Sequence, residues 1–219
     1  MAVPTLREYF DRWQIQHHAP DLDPAGTTLL RLFLTLTYTC ARPFARRNVA
    51  PDLLTVLGLV WAGLVVAVAG FSPVTAAVFV LVSVVTDGID GCVAALNNRA
   101  TQFGFVLDSV VDRLSDGLYL SALIVAGGEP AWAVAAGGAL MTLEYTRARA
   151  GGAGLREVGV VTVGERPTRT VASIAGLVGA QLLPEKPWVG PNVGLAIIVV
   201  TGVLGTVQLG WYLWKNGRS

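Results

Sequence analysis

Long apolar segments, separated by short polar or turn-rich breaks, dominate this chain of 219 residues. Six of them approach the roughly 20 residues that a helix needs to cross the hydrocarbon core of a bilayer. They are residues 52–70, 74–97, 102–127, 131–150, 168–184 and 191–214. Glycine and proline mark the breaks at 70–73, 127–130 and 184–191. The pattern therefore predicts an all-α integral membrane protein with six transmembrane helices.

The start of the chain follows a different pattern, in which polar, aromatic and apolar positions are mixed. Residues 1–26 predict a short helix followed by a loop. Residues 27–47 begin apolar but are short for a span and contain arginines, so they predict a helix at the membrane interface, which Pro43 kinks or restarts. We therefore divide the chain into a cytoplasmic lead-in with an interfacial helix, residues 1–47, and a six-span domain, residues 48–219.

Composition and charge agree with this interpretation. Only 14% of the residues are charged and 53% are hydrophobic, whereas soluble domains carry about 25% charged residues. The net charge of +1 gives no field that would attract nucleic acid, and no nucleic-acid partner is expected. When the six segments cross the membrane in alternating directions, Lys186 alone of the 16 lysines and arginines lies on the side of the membrane opposite the others. Because cytoplasmic loops are rich in these residues, both termini are predicted to be cytoplasmic. The Arg- and Ala-rich composition favours a bacterial cell membrane.

Four aspartates interrupt the second and third apolar segments. Asp87 and Asp90 are three residues apart, and Asp108 and Asp112 are four apart, so each pair shares one face of a helix. An ionised aspartate at membrane depth costs at least a few kcal/mol, and a shared divalent cation turns such carboxylates into ligands. The spacing therefore predicts a site for two Mg²⁺-like ions at the cytoplasmic end of a helical hairpin. An ion pathway or proton relay is the alternative, which is disfavoured because all four acids lie at one end.

The acidic segment resembles the signature of the CDP-alcohol phosphotransferase family, D-x-x-D-G-x-x-A-R-x(8)-G-x-x-x-D-x-x-x-D. The positions that match at the required spacing are Asp87, Asp90, Gly91, Ala94, Gly104, Asp108 and Asp112. One position departs, because Ala95 stands where the family has arginine. Upstream, residues 49–55 resemble the family's T-P-N-x-L-T segment, with Asp52 in place of asparagine.

The resemblance implies transfer of a phosphatidyl group from CDP-diacylglycerol to an alcohol, with release of CMP, in phospholipid biosynthesis. Asp87, Asp90 and Asp108 would be metal ligands, and Asp112 would reach one ion and act as general base on the acceptor hydroxyl. Two Mg²⁺ or Mn²⁺ ions are the implied cofactors, and a homodimer in membrane lipid is expected. The residues expected to bind the donor are Thr55, Gly91, Ala94, Arg99 and Gly104, with Arg99 as a substitute for the missing motif arginine.

A second group of charges follows the fourth apolar segment. Within the family it is most like the phosphatidylinositol-phosphate synthase branch, whose K-A-R-A and E-R-P-E-R segments correspond to residues 147–150 and 165–169. Guanidinium groups suit phosphate, so a phosphorylated acceptor is implied. Inositol phosphate is favoured, with glycerol 3-phosphate, the acceptor of a phosphatidylglycerophosphate synthase, as the alternative. A weakly active or inactive homologue that binds lipid or nucleotide is a further alternative. The arginines expected to hold the acceptor phosphate are Arg147, Arg149, Arg166 and Arg169.

Overall fold

The computed structural model describes residues 4–16, 28–154 and 161–216, which form α-helices and turns without any strand. The helices in this part of the chain are α1 (Leu6–Gln16), α2 (Thr28–Arg46), α3 (Pro51–Ala69), α4 (Pro73–Leu96), α5 (Gln102–Val125), α6 (Pro130–Gly152), α7 (Arg166–Leu182) and α8 (Val189–Asn216). The all-α prediction is thus confirmed for the described residues. Helices α3 to α8 coincide with the six apolar segments of the sequence.

Three of the described helices, α3, α4 and α8, are long and apolar enough to cross a membrane. Helix α5 carries four charged side chains, at Asp108, Asp112, Arg113 and Asp116. Helix α7 has only 17 residues, which is short for a crossing of the hydrocarbon core. The structure therefore supports a membrane protein, while the count of six spans stays a prediction.

Helix α2 is amphipathic, in keeping with the expected interfacial helix. It buries Leu34 and Ala41, while the charged Arg31 and Arg42 are exposed. Pro43 lies inside the helix, which continues to Arg46, so the expected restart was wrong. A proline removes one backbone donor and crowds the preceding turn, and Pro43 lies three residues before the end of the helix. The loop expected before residue 27 lies outside the described residues.

The chain forms two compact units. The first contains Met1–Trp61 and Leu81–Asp112, and the second contains Ala62–Val80 and Arg113–Ser219. Helices α3, α4 and α5 therefore each contribute residues to both units.

The core of the first unit packs α1 and α2 against parts of α3 and α4. Its buried residues are Tyr9, Leu34, Ala41, Ala45, Leu54, Ile89, Cys92, Val93, Ala95 and Leu96. From α1, the partly buried Leu6, Phe10 and Trp13 pack against this cluster, whereas Arg7 is exposed. The apolar side of α1 is thus covered by the protein itself.

Two asparagines turn the chain after helices of the first unit. Asn48 follows α2 with φ 55°, and Asn98 follows α4 with φ 50°. Asparagine visits this left-handed region more readily than most residues. The two turns are linked, because Arg99 Nη1 donates to the Asn48 carbonyl at 3.4 Å. These turns fix where α3 and α5 begin.

Glycines bring α7 and α8 of the second unit into backbone contact along a glycine seam formed by Gly176, Gly179, Gly190 and Gly194. A Cβ atom on Gly190 would lie 2.6 Å from the backbone nitrogen of Ala180, and one on Gly194 would lie 2.7 Å from the Ala172 carbonyl oxygen. No larger side chain fits at such distances. Small residues that let backbones approach closely are typical of helix packing in lipid.

Candidate metal and donor site

Three aspartates from two helices converge in the first unit. Asp87 and Asp90 come from α4 and Asp108 from α5, and each offers a carboxylate oxygen within 4.8 Å of the others. Asp90 is 5% exposed, and Asp87 and Asp108 are half-buried. Clustered carboxylate oxygens are the ligands that Mg²⁺ and Mn²⁺ prefer, and like charges so close together favour a shared cation. The residues therefore fit the divalent metal that the sequence predicts.

Asp112, the fourth predicted ligand, is not in this group of carboxylates. It lies one turn after Asp108 on α5 and is half-buried. Its assignment as a further ligand and as the general base stays a prediction.

The carboxylate of Asp90 is oriented by two hydrogen bonds. The Thr55 hydroxyl, on α3, donates to Asp90 Oδ2, and the backbone N–H of Gly91 donates to Asp90 Oδ1. Thr55 itself is 4% exposed. Since both carboxylate oxygens are held, Asp90 is fixed in one orientation towards the other acids. Thr55, predicted from the sequence as a donor-binding residue, thus also orients a predicted metal ligand.

A cavity of about 120 Å³ opens beside these acids. It is lined by Pro51, Asp52, Thr55, Asp90, Gly91, Ala94, Arg99, Ala100, Thr101, Gly104, Phe105 and Asp108. All five residues predicted to bind the donor lie on this wall. Thr101 was not among them, although a hydroxyl just before a helix is a recognisable N-cap signal. Its Oγ1 accepts a hydrogen bond from the Gly104 backbone N–H at 2.9 Å.

Gly104 and Gly91, both on the cavity wall, differ in the space that their neighbours leave for a side chain. A Cβ atom on Gly104 would lie 3.1 Å from Thr101 Oγ1 and 3.3 Å from Asp52 Oδ1. At Gly91, by contrast, a Cβ would meet nothing within 4 Å. A Cβ at position 104 would therefore require Thr101 and Asp52 to shift slightly, whereas glycine at position 91 leaves space on the cavity wall.

Ala95, at the departure from the family motif, belongs to the core of the first unit. It is 8% exposed and lies in the buried cluster that includes Tyr9 and Cys92. Arg99, one turn further on, is exposed and lines the cavity. Among the described residues on the cavity wall, Arg99 supplies the positive charge.

The arginines predicted to bind the acceptor lie in the second unit, where Arg169 and Arg147 contact carboxylates. Arg169 is 4% exposed; its Nε is 3.2 Å from Asp116 and its Nη1 is 2.9 Å from Glu144. Arg113 approaches the same two carboxylates, at 3.3 Å from Asp116 and 2.9 Å from Glu144. We call these four residues the four-charge network. Sequence reasoning missed the contacts of Glu144, because its partners Arg113 and Arg169 lie on other helices.

Arg147 pairs with Glu165, the residue before α7. Its Nη2 is 2.6 Å from Glu165 Oε1 and its Nη1 is 3.0 Å from Oε2. The N–H and the hydroxyl of Thr162 also donate to Glu165 Oε1, both at 3.0 Å. Burial alone would raise the pKa of Glu165, but the bonds from Arg147 and Thr162 outweigh it and bring the pKa below its ordinary value of 4.5. Arg149 is exposed and Arg166 half-buried. The acceptor role of these arginines stays a prediction.

The site, the all-helical fold and the sequence together define a class of membrane-bound phosphotransferase. The chain belongs to the CDP-alcohol phosphatidyltransferase family, whose sequence model matches residues 48–209. It is 30% identical over 203 residues to the archaetidylinositol phosphate synthase of Methanothermobacter thermautotrophicus, covering 90% of this chain and 98% of that protein. The archaetidylinositol phosphate synthase of Aeropyrum pernix is 32% identical over 140 residues, covering 63% of this chain and 64% of that protein.

Solved structures show the same likeness. The crystal structure of Mycobacterium tuberculosis phosphatidylinositol phosphate synthase with CDP-DAG bound is similar, with a TM-score of 0.66 and 27% identity, covering 83% of this chain and 94% of that one. The structure of that enzyme in complex with manganese and citrate has a TM-score of 0.64 and 29% identity, covering 82% of this chain and 89% of that one.

Proposed function

We propose that this protein transfers a phosphatidyl group from CDP-diacylglycerol to inositol phosphate, releasing CMP, as a step of phospholipid biosynthesis. The observation that carries the proposal is the convergence of Asp87, Asp90 and Asp108 beside a cavity, in a chain of the CDP-alcohol phosphatidyltransferase family. The similarity to two archaetidylinositol phosphate synthases supports inositol phosphate as the acceptor. The neighbouring structure that holds CDP-DAG supports the donor.

The proposed cofactors are two Mg²⁺ or Mn²⁺ ions. Asp87, Asp90 and Asp108 would hold them, with Asp112 in reach of one. When bound, such ions neutralise the negative charge of a pyrophosphate and stabilise the departing CMP. The manganese in a neighbouring structure supports a divalent metal of this kind.

The remaining chemistry falls to residues of the chain. Asp112 accepts the proton of the acceptor hydroxyl, whose oxygen forms a bond to the phosphorus of the phosphatidyl group. The phosphorus–oxygen bond to CMP breaks, and CMP leaves with the electron pair. Arg99 attracts the pyrophosphate to the cavity wall, and Thr55 keeps the Asp90 carboxylate in its orientation. The catalytic demand is mainly for placement and charge stabilisation.

The acceptor's phosphate is proposed to bind at Arg147, Arg149, Arg166 and Arg169. Arg147 and Arg169 would divide their donors between this phosphate and their carboxylate partners. A guanidinium has five N–H donors, so such sharing is possible. Glycerol 3-phosphate would use the same arginines, since it presents the same phosphate group.

We also propose the membrane arrangement expected from the charge pattern. Six helices would cross a bacterial cell membrane, with both termini and the metal site cytoplasmic and a homodimer as the assembly. The excess of arginine and lysine on one side supports this orientation. Labelling of single introduced cysteines from either side of intact vesicles measures it directly.

The function is tested by CMP release from the purified protein in lipid with CDP-diacylglycerol, Mn²⁺ or Mg²⁺, and a panel of inositol phosphate, inositol and glycerol 3-phosphate. We expect the fastest release with inositol phosphate, none after chelation of the metal, and none from Asp112→Asn. Asp11→Asn, an exposed isosteric change on α1, is the matched control.

Three other outcomes would change the assigned function. Faster release with glycerol 3-phosphate would favour a phosphatidylglycerophosphate synthase activity. Binding of CDP-diacylglycerol without CMP release from any acceptor would favour the weakly active or inactive homologue. Wild-type turnover by Asp112→Asn would overturn its assignment as general base.

A further inference from the structure

Helix α1 lies outside the residues that match the family, yet one of its side chains reaches the family motif. The family match begins at residue 48. Arg12 Nη1 donates to the backbone carbonyl of Ala95 at 2.8 Å and to that of Leu96 at 3.1 Å. Ala95 is the position at which the sequence departs from the motif. Helix α1, which the family model does not include, therefore donates a hydrogen bond to the backbone of Ala95.

The carbonyls that Arg12 binds are at the C-terminal end of α4. The last carbonyls of a helix have no partner within it and carry a partial negative charge. A guanidinium that donates to two of them makes charge-assisted hydrogen bonds, which are stronger than neutral ones. Arg12 is half-buried, which limits competition from water. This contact ties α1 to the end of α4.

Other contacts hold α1 in place, so Arg12 acts from a fixed position. Tyr9 is 3% exposed and belongs to the buried cluster that also contains Ala95 and Cys92. The Tyr38 hydroxyl, on α2, donates to the carbonyl of Pro4 at 2.8 Å. At the start of the helix, the Glu8 carboxylate accepts from the Thr5 backbone N–H at 2.6 Å. Helix α1 is thus built into the first unit.

The turn that follows α4 forms part of the cavity wall. Arg99, Ala100 and Thr101 all line it. The turn is anchored to α4, because the Arg99 backbone N–H donates to the Ala94 carbonyl at 2.9 Å, and Asn98 adopts φ 50°. The position of Arg99 therefore depends on how well the end of α4 is held.

We propose that Arg12 is a positioning residue for donor binding. By binding the carbonyls of Ala95 and Leu96, it fixes the turn that presents Arg99 to the pyrophosphate of the donor, in a chain that lacks the motif arginine. The inference rests on the proposed function for the identity of the donor. It assigns to α1 a part in substrate affinity, and Arg12 itself does not touch the substrate.

The first test separates donor affinity from turnover. CMP release is measured for full-length wild type, Arg12→Gln, Arg12→Lys and Arg7→Gln while CDP-diacylglycerol and inositol phosphate are varied in turn. We expect Arg12→Gln to raise the KM for CDP-diacylglycerol about tenfold, as for loss of a charge-assisted bond. The kcat and the acceptor KM should stay within about twofold, and Arg12→Lys should recover part of the loss. Arg7 is exposed on the same helix, and Arg7→Gln should match wild type.

The second test needs no turnover. Hydrogen exchange of the same proteins should show faster exchange of residues 97–101 in Arg12→Gln and not in Arg7→Gln. Unchanged exchange in that turn, a loss confined to kcat, or an equal rise of both KM values would overturn the proposal. If Arg12→Gln is not recovered in folded form, Arg12→Met, which keeps most of the apolar stem, takes its place. Wild-type protein that releases no CMP would instead refute the proposed function, while exchange would still decide whether Arg12 orders the turn.

Discussion

Carboxylates are gathered in both units of this protein, but with different neighbours. In the first unit, Asp87, Asp90 and Asp108 bring like charges within 4.8 Å of one another. In the second unit, the four-charge network alternates two arginines with two acids, so its formal charges cancel. Like charges repel and are stabilised by an added cation, whereas a buried ion pair is satisfied internally. The first cluster therefore suits an added cation, whereas in the second the carboxylates of Asp116 and Glu144 balance the charges of Arg113 and Arg169.

The sharpest test of this comparison, and the largest expected effect, is Asp90→Asn. CMP release should fall on the order of 1,000-fold, because a ligand of the proposed metal is lost. Stability in a chelator should stay close to that of wild type, because the removal of one of three neighbouring negative charges offsets the loss of one hydrogen-bond acceptor for Thr55 or Gly91. Thermal unfolding with and without Mn²⁺ checks this, with Asp11→Asn as the control. A strongly destabilised Asp90→Asn protein would mean that the acid is structural.

In the four-charge network, removal of one carboxylate should destabilise the protein whether or not a metal is present. Glu144→Gln removes one charged partner from both Arg113 and Arg169, and should lower the free energy of unfolding by about 3 kcal/mol. Addition of Mn²⁺ should not change this loss. Denaturant titration of the protein in detergent measures it, with Glu129→Gln, an exposed acid at the start of α6, as the matched control. Equal stability of the two variants would contradict a structural role.

Introducing the motif arginine at position 95 should not increase the turnover of the enzyme. Ala95→Arg would place a charged side chain in the buried cluster around Tyr9, with an expected cost of about 2 kcal/mol and reduced CMP release. The melting temperature and the turnover are measured together. Ala131→Arg, at an exposed alanine of α6, controls for the added charge. Higher turnover with unchanged stability would show that position 95 can face the donor after all.

The smallest effect concerns acidification. The pKa of Glu165 is lower in the folded protein than its ordinary 4.5. Its contribution to stability is therefore present above pH 4.5 and is lost as the pH falls through the lower, folded value. Glu165→Gln should be less stable than wild type at pH 7, and the difference should shrink as the pH is lowered below 4.5. Melting temperatures of both proteins between pH 7 and pH 3 check this. A difference that stays constant over this range would contradict a contribution of the ionised Glu165 carboxylate to stability.

Local spacing explains what could be predicted from the sequence. The apolar segments coincide with α3 to α8, and the interval between Asp87 and Asp90 sets them on one face, since helical periodicity acts within a few residues. The partners of Arg169 and the burial of Ala95 depend instead on tertiary packing. Asp116 lies far from Arg169 in the sequence, although the two side chains are in contact. Ala95 of α4 is likewise buried in a cluster with Tyr9 of α1, a helix that lies far from it in the sequence. No local pattern carries that information.

The glycine seam limits how this sequence can change over generations. Gly190 cannot accept even one methyl group, because its Cβ would lie 2.6 Å from backbone atoms of α7. On the same helix, Val193 and Val200 are exposed, so exchange for another apolar residue costs little. Related genes should therefore drift at the exposed positions of α8 while keeping Gly190 and Gly194. The spacing of those glycines should remain recognisable after most of the surrounding identity has been lost.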